Sequence, residues 1–344
     1  MLTIDTVSKK LSGKVILHDI NLTFDRGVHG LLAPNGAGKT TLMKLMTTLL
    51  FPDTGAIRLN GEDIVALGED YRGQIGYLPQ EFGYYPNYTP RQFLRYIAAL
   101  QGVPRHGLNE RIDTLLGMVG LADSANKRMR TFSGGMIQRV GIAQALVHDP
   151  RILILDEPTA GLDPKERVRF RNIIHALASD RIVILSTHIV SDLETIAGHI
   201  VMLRDGTVFA NASPAEIRRS MEGKVFEVAA GTPLTDGQRL LSEVQVGGAT
   251  RLRIYSPQPI AGAVRAGMAA GAETTAALGA GASGANAGTA AASAGTGTAD
   301  VANAGTGTAG TGAADESAGT AADADRPVMV DPSLEDAFLV IYGG

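Results

Sequence analysis

The segment GLLAPNGAGKTTL, Gly30 to Leu42, constrains the fold of this chain more than any other. Its second half fits a phosphate-gripping turn, in which successive backbone N–H groups curl around an anion and then open a helix whose partly positive N-terminus faces it. Gly36 and Gly38 permit a close approach free of side chains, Lys39 supplies a mobile positive charge, and Thr40 offers a hydroxyl suited to Mg²⁺. Asn35, Ala37 and Thr41 complete the residues expected around the phosphates. The pattern G-x-x-x-x-G-K-[ST] is imperfect, because Ala33 stands at its first glycine. Ala33 keeps its N–H and gives up only easy access to positive φ, so the site is expected to survive unless that dihedral is required. The short apolar run from Gly27 to Leu32 reads as the strand feeding the turn, and Thr40 to Leu50 as the helix leaving it. A glycine-rich turn without a ligand would not explain a lysine followed by two threonines at the start of a helix.

Further apolar runs at Arg151 to Leu155, Ile182 to Ser186 and His199 to Leu203 are spaced by helical stretches, which predicts a largely parallel α/β sheet. Leu2 to Val7 and Val15 to Phe24 read as antiparallel strands appended to it. Past Gly223 a smaller region is expected, with strands near Lys224 to Val228 and Arg251 to Tyr255. From Ala261 to Asp325 the composition breaks: Ala, Gly and Thr make up 49 of 65 residues and no aromatic occurs. Such a stretch buries too little apolar surface to offset its ordering entropy. The expected organisation is therefore a nucleotide-binding domain over 1–222, a small α+β accessory region from 223–257 and 327–344, and a flexible insertion over 258–326. After the insertion, Val328 to Val330 reads as a strand, followed by a helix capped by Asp331 or Ser333 with Pro332 and Glu335 near its start.

The second constraining motif is RILILDEPTAGLD. Four apolar residues, Ile152 to Leu155, precede Asp156 and Glu157, so both carboxylates emerge at the carboxyl end of a buried strand, where α/β sheets bind ligands. Asp156 is placed to hold Mg²⁺ or its water, and Glu157 to orient an attacking water or accept its proton. A capped turn built on Asp156 would leave Glu157 unused.

Composition narrows the partners. With 31 basic and 35 acidic residues the net charge is −4, so there is no global attraction for nucleic acid, and none is expected as a partner. The absence of cysteine rules out disulfides and thiolate metal sites and fits a reducing compartment. The first residues hold no apolar segment of signal-peptide length, and nowhere do 18 consecutive strongly apolar residues occur, so export and membrane spanning are not expected.

Between the two nucleotide motifs lies TFSGGMIQRVGIAQALVHDP, which resembles the signature segment of ATP-binding cassette (ABC) ATPases. The resemblance covers about residues 2 to 220, with five motifs in family order. It implies a P-loop NTPase with an antiparallel β subdomain, a mainly parallel core sheet and a helical signature subdomain, binding ATP and Mg²⁺ and hydrolysing the ATP. Physically, Ser133 can cap a helix that begins with Gly134 and Gly135, another bare helix N-terminus able to receive phosphate. In the family this second anion site completes the nucleotide of a partner subunit, so the resemblance implies pairing with a second copy or a related cassette. By the same likeness Gln80 reaches Mg²⁺ or the attacking water, His188 contacts the γ-phosphate, and Asp163 contacts the opposite subunit. Two departures accompany Ala33: Leu11 stands where the family commonly stacks an aromatic on adenine, and Met136 replaces the glutamine that ends the signature. By resemblance, the aromatic segment from Tyr84 to Leu100 corresponds to the family's groove for an integral membrane permease, an ordinary core cluster being the other reading. The chain looks like a stand-alone ATPase subunit of bacterial exporters for drugs, antibiotics or polysaccharides, peripheral on the cytoplasmic face of the cell membrane. A soluble regulatory or mechanochemical ABC ATPase, uncoupled from transport, is the alternative.

Overall fold

The apolar runs lie side by side, and their side chains alternate between two separate cores. The computed structural model describes residues 1–266 and 326–343. In chain order its first elements are β1 (Leu2–Leu11), β2 (Lys14–Phe24), β3 (Gly27–Leu32), α1 (Lys39–Met46), β4 (Thr54–Leu59) and β5 (Glu62–Asp63). Short helices α2 (Ile64–Leu67) and α3 (Glu69–Arg72) lead to β6 (Ile75–Leu78), α4 (Pro90–Leu100), α5 (Leu108–Met118), α6 (Gly134–Ala145) and β7 (Ile152–Asp156). Next come α7 (Pro164–Ala178), β8 (Ile182–Thr187), α8 (Val190–Ile196), β9 (His199–Arg204), β10 (Thr207–Ala212) and α9 (Pro214–Arg219). The remaining described elements are β11 (Val225–Ala229), β12 (Arg239–Val246), β13 (Ala249–Tyr255), β14 (Val264–Arg265), β15 (Val328–Met329) and α10 (Leu334–Tyr342).

The central sheet has the order β10-β9-β3-β8-β7-β6, parallel throughout except for β10 against β9. Leu153, Leu155, Val183, Leu185, Ile200 and Met202 face one core, shared with side chains of α4 to α8 such as Phe93, Ile112, Val140, Phe170 and Leu193. Their neighbours Ile152, Ile154, Ile182, Ile184, Val201 and Leu203 face a second core with Leu42, Met43 and Met46 of α1 and with the antiparallel sheet β2-β1-β4-β5. Burial on both faces explains why these strands read as unbroken apolar runs. Each buried Leu or Ile contributes roughly 1.5–3 kcal/mol relative to an exposed one. The mixed α/β architecture is the expected one, with the carboxyl ends of β3, β7 and β8 gathered at one edge.

The helix after the phosphate turn is shorter than its apolar pattern predicts. It ends at Met46 rather than Leu50, because the Thr47 hydroxyl donates back to Met43 O (3.0 Å) and Thr48 takes a φ of 58° that turns the chain away.

A third sheet, β12-β13-β11-β15-β14, forms past α9. Of the two caps considered for α10, the structure uses Ser333, whose hydroxyl accepts from Asp336 N while Asp336 accepts from Ser333 N. Arg253 on β13 forks onto the buried Asp336 carboxylate at 2.8 and 2.7 Å, and reaches Glu227 on β11 at 3.2 Å. The ordered chain runs past the boundary expected at 258: Ile260 and Ala263 pack on Phe226, Val228 and Ile254, and β14 pairs in parallel with β15, Val264 opposite Val328. Residues 267–325, the bulk of the expected flexible insertion, lie outside the described residues. Among the described residues no helix is long and apolar enough to cross a membrane.

Candidate active site

The phosphate turn leaves β3 at Leu32 and enters α1 at Lys39. Its positive backbone angles fall at Gly36 (φ 81°) and Gly38 (φ 104°), and Ala33 is not among the residues with positive φ. Ala33 is instead fully buried in the second core, so the imperfect motif position is a packing position. At Gly38 the lack of a side chain is needed twice over: a Cβ there would meet Leu17 Cδ2 at 2.7 Å and Ile16 O at 3.2 Å. The Lys39 ammonium donates to the carbonyls of Ala33 (2.5 Å) and Pro34 (3.2 Å), so it spans the turn it belongs to. Burial lowers its pKa, against the opposing pull of Glu157 and Asp156.

Across from the turn, β7 delivers Asp156 and Glu157. Asp156 is paired in register with Ser186 on β8, and that serine, fully buried, holds the Asp156 carboxylate and the backbone amide of Glu157. Its hydroxyl donates to Asp156 Oδ1 at 2.5 Å and accepts from Glu157 N at 2.9 Å. Glu157 sits at φ 51°, a left-handed angle that costs a non-glycine residue on the order of 1–3 kcal/mol and aims its carboxylate. His188 Nδ1 donates to Glu157 Oε2 at 2.8 Å, joining a side chain that is 59% exposed to one that is 7% exposed. Thr187 Oγ1 accepts from Ile189 N (3.0 Å) and fixes the bend that carries His188.

One cleft of about 420 Å³ is lined by Asn35, Gly36, Gly38, Lys39, Thr40, Thr41, Gln80, Asp156 and Glu157. Ala37 stays on the turn, its N–H donating to Pro34 O at 3.3 Å. The apolar wall of the cleft is Ile16, whereas Leu11, expected to take the adenine contact, is exposed at the end of β1 and does not line it. Asp156 Oδ2 is buried without a hydrogen-bond partner, and with the Thr40 hydroxyl and the Gln80 amide oxygen it offers the hard oxygen donors that Mg²⁺ takes. Among the described residues no group of three His, Asp or Glu side chains could hold a metal unaided, so a cation here would share its shell with phosphate oxygens.

Ser133, Gly134, Gly135 and Asp163 do not line this cleft. Ser133 caps α6, its hydroxyl accepting from Met136 N at 3.2 Å, and Asp163 caps α7, accepting from Glu166 N at 2.8 Å. Glu166 ties the two helix starts together. Its carboxylate returns to Asp163 N, receives Arg139 Nη2 of α6 at 2.7 Å, and lies so close to Gly135 that a Cβ there would collide with it. The site residues therefore form two groups, one around the phosphate turn and one at the tips of α6 and α7.

Sequence reasoning missed Ser186 and Glu166. The signal for Ser186 was a small polar residue ending an apolar strand; for Glu166 it was an acid three residues after Asp163, the capping-box spacing.

The ABC transporter family profile matches residues 17–160. The chain is 37% identical over 215 residues to the ABC transporter ATP-binding protein NatA of Bacillus subtilis (strain 168), covering 60% of this chain and 87% of that protein. It is 35% identical over 229 residues to the daunorubicin resistance ATP-binding protein DrrA3 of Streptomyces coeruleorubidus, covering 66% and 72%. To YxlF of Bacillus subtilis (strain 168), an uncharacterized ABC transporter ATP-binding protein, it is 38% identical over 58% of this chain and spans 66% of the relative's length. Among solved structures it resembles an ATP-binding subunit of an ABC transporter (31% identity, TM-score 0.59, 64% of this chain and 92% of that one). It also resembles a bacterial ABC transporter cassette solved as a dimer (25% identity, TM-score 0.57, 62% and 98%). With its two nucleotide motifs set at one sheet edge and a signature helix beside them, the chain belongs to the ABC transporter family, as an ATP-binding cassette ATPase subunit.

Proposed function

We propose that two cassettes, two copies of this chain or this chain with a related one, enclose two ATP molecules, and that hydrolysis drives export through a separate integral membrane permease. The observation that carries this reading is the division of the site. The cleft holding Lys39, Asp156 and Glu157 lacks Ser133, Gly134, Gly135 and Asp163, which form their own cluster at the capped starts of α6 and α7. A facing subunit would bring that cluster over the nucleotide.

In the proposed chemistry the amides of the phosphate turn bind the outer phosphates, and Lys39 adds charge where it develops. Glu157, held by its strained backbone and by Ser186, orients the attacking water and accepts its proton. His188 steadies Glu157 and is exposed enough to reach the γ-phosphate. Thr40, Gln80 and Asp156 would hold Mg²⁺, which supplies charge neutralisation across the phosphates when bound.

The permease side of the reading rests on the exposed aromatics Tyr84, Tyr85, Tyr88 and Tyr96, which cluster on α4 and the segment before it, downstream of Gln80. This surface suits a helix presented by the membrane subunit and would place the chain on the cytoplasmic face of the membrane. The likeness to a daunorubicin resistance protein supports export.

Glu157→Gln is the direct test. Turnover of ATP should fall by about 10²–10⁴-fold, while size-exclusion chromatography shows an ATP-dependent dimer. Unchanged turnover would remove Glu157 from its role.

A further inference from the structure

The last helix of the chain reaches the base of the phosphate turn, 310 residues away in sequence. The Tyr342 hydroxyl lies 2.8 Å from Leu203 O on β9 and 3.2 Å from Leu32 O on β3. Leu32 is the last residue of β3, and the next carbonyl, that of Ala33, receives the Lys39 ammonium. Pairing between β3 and β9 ends at Leu32 opposite Met202. Past that rung the two strands are bridged by the phenol rather than by the backbone ladder. Burial pushes the phenol above its ordinary pKa, so it keeps its proton and donates at every working pH.

The other end of the same helix is clamped to the accessory sheet. Asp336 is 3% exposed, receives the Arg253 fork, and closes the capping box with Ser333. Between the two anchors α10 packs against α8, the helix that follows His188, and Phe338 lies against the Tyr342 ring at 4.8 Å between centroids. A nine-residue helix spans roughly 14 Å, and a packed interior transmits displacement rather than absorbing it.

We propose that α10 is a strut between the accessory sheet and the phosphate turn, with Tyr342 as a positioning residue through which that sheet sets the affinity of the cassette for nucleotide. The proposal rests on the ATPase reading but adds a residue that lines no part of the cleft. If Tyr342 were only a core contact, removing its hydroxyl would lower stability and leave nucleotide binding alone.

The test compares the full wild-type chain with Tyr342→Phe and Asp336→Asn, measuring MgATP turnover, ADP binding by calorimetry, and thermal stability. For Tyr342→Phe, KM for MgATP and Kd for ADP should both rise about three- to tenfold, the range of one hydrogen bond, with kcat within about twofold. Asp336→Asn, which loosens the far anchor, should shift both constants in the same direction, and the double variant should fall short of additivity. A folded Tyr342→Phe protein with wild-type KM and Kd overturns the proposal, even if its melting temperature drops. Should Tyr342→Phe not fold, wild-type constants in Asp336→Asn overturn it equally. A wild-type chain that binds ADP but never turns over ATP would instead sink the ATPase reading, since the Kd comparison still stands.

Discussion

Ala33 is buried without positive φ, and its carbonyl serves the phosphate turn by receiving the Lys39 ammonium. Replacing it with glycine would restore the motif and gain nothing. Ala33→Gly is expected to lower stability by about 1–2 kcal/mol, through backbone entropy and the loss of a buried methyl, with KM for ATP unchanged, as read from chemical denaturation and turnover. Tighter ATP binding in that variant would contradict the packing role. The glycines, Lys39 and Thr40 were legible because their chemistry is local to one turn. Ser186 was not, because its role arises only when parallel pairing sets it beside Asp156, 30 residues earlier. The His188 contact with Glu157 likewise depends on β7 and β8 being neighbours.

At the scale of elements, strands buried on both faces were easy to read and helix ends were harder. Nothing in the apolar spacing of α1 announces that the Thr47 hydroxyl and the angle at Thr48 stop it. The start of α10 was legible to within two residues, Asp331 or Ser333, but its seating on Arg253 was not, since that arginine lies on a strand 83 residues away. The seating has a pH signature. Burial opposes ionisation of Asp336, yet the hydrogen bonds from Arg253 and Ser333 outweigh it and hold the carboxyl below the usual range. With the native pKa below the unfolded one, the unfolded chain binds more protons in the interval between them. The contribution is therefore complete above the unfolded value of about 4 and is lost as pH falls through the native one. Asp336→Asn should lower the melting temperature near neutrality and flatten its decline in acid relative to wild type. Parallel melting curves from pH 7 to pH 3 would show that the fork contributes nothing.

For the whole molecule, the motif order pointed to the family and to a second anion site serving a partner, and the coordinates add which residues line the phosphate cleft and which stand apart from it. That separation yields a selective lesion. Ser133→Arg, at the tip of α6 and away from the phosphate cleft, should abolish turnover and the ATP-dependent dimer of the Glu157→Gln background, yet leave ADP affinity of the single cassette within about twofold. Loss of ADP binding would mean that the two groups are not independent. The accessory sheet carries a different consequence, for the length of chain between 266 and 326. Because β14 and β15 run the same way side by side, no tight hairpin can ever replace what joins them; a return path is obligatory. Parallel neighbours ordinarily need on the order of a dozen residues to double back, so that segment has a floor on how far it can be trimmed and, above it, wide freedom to grow.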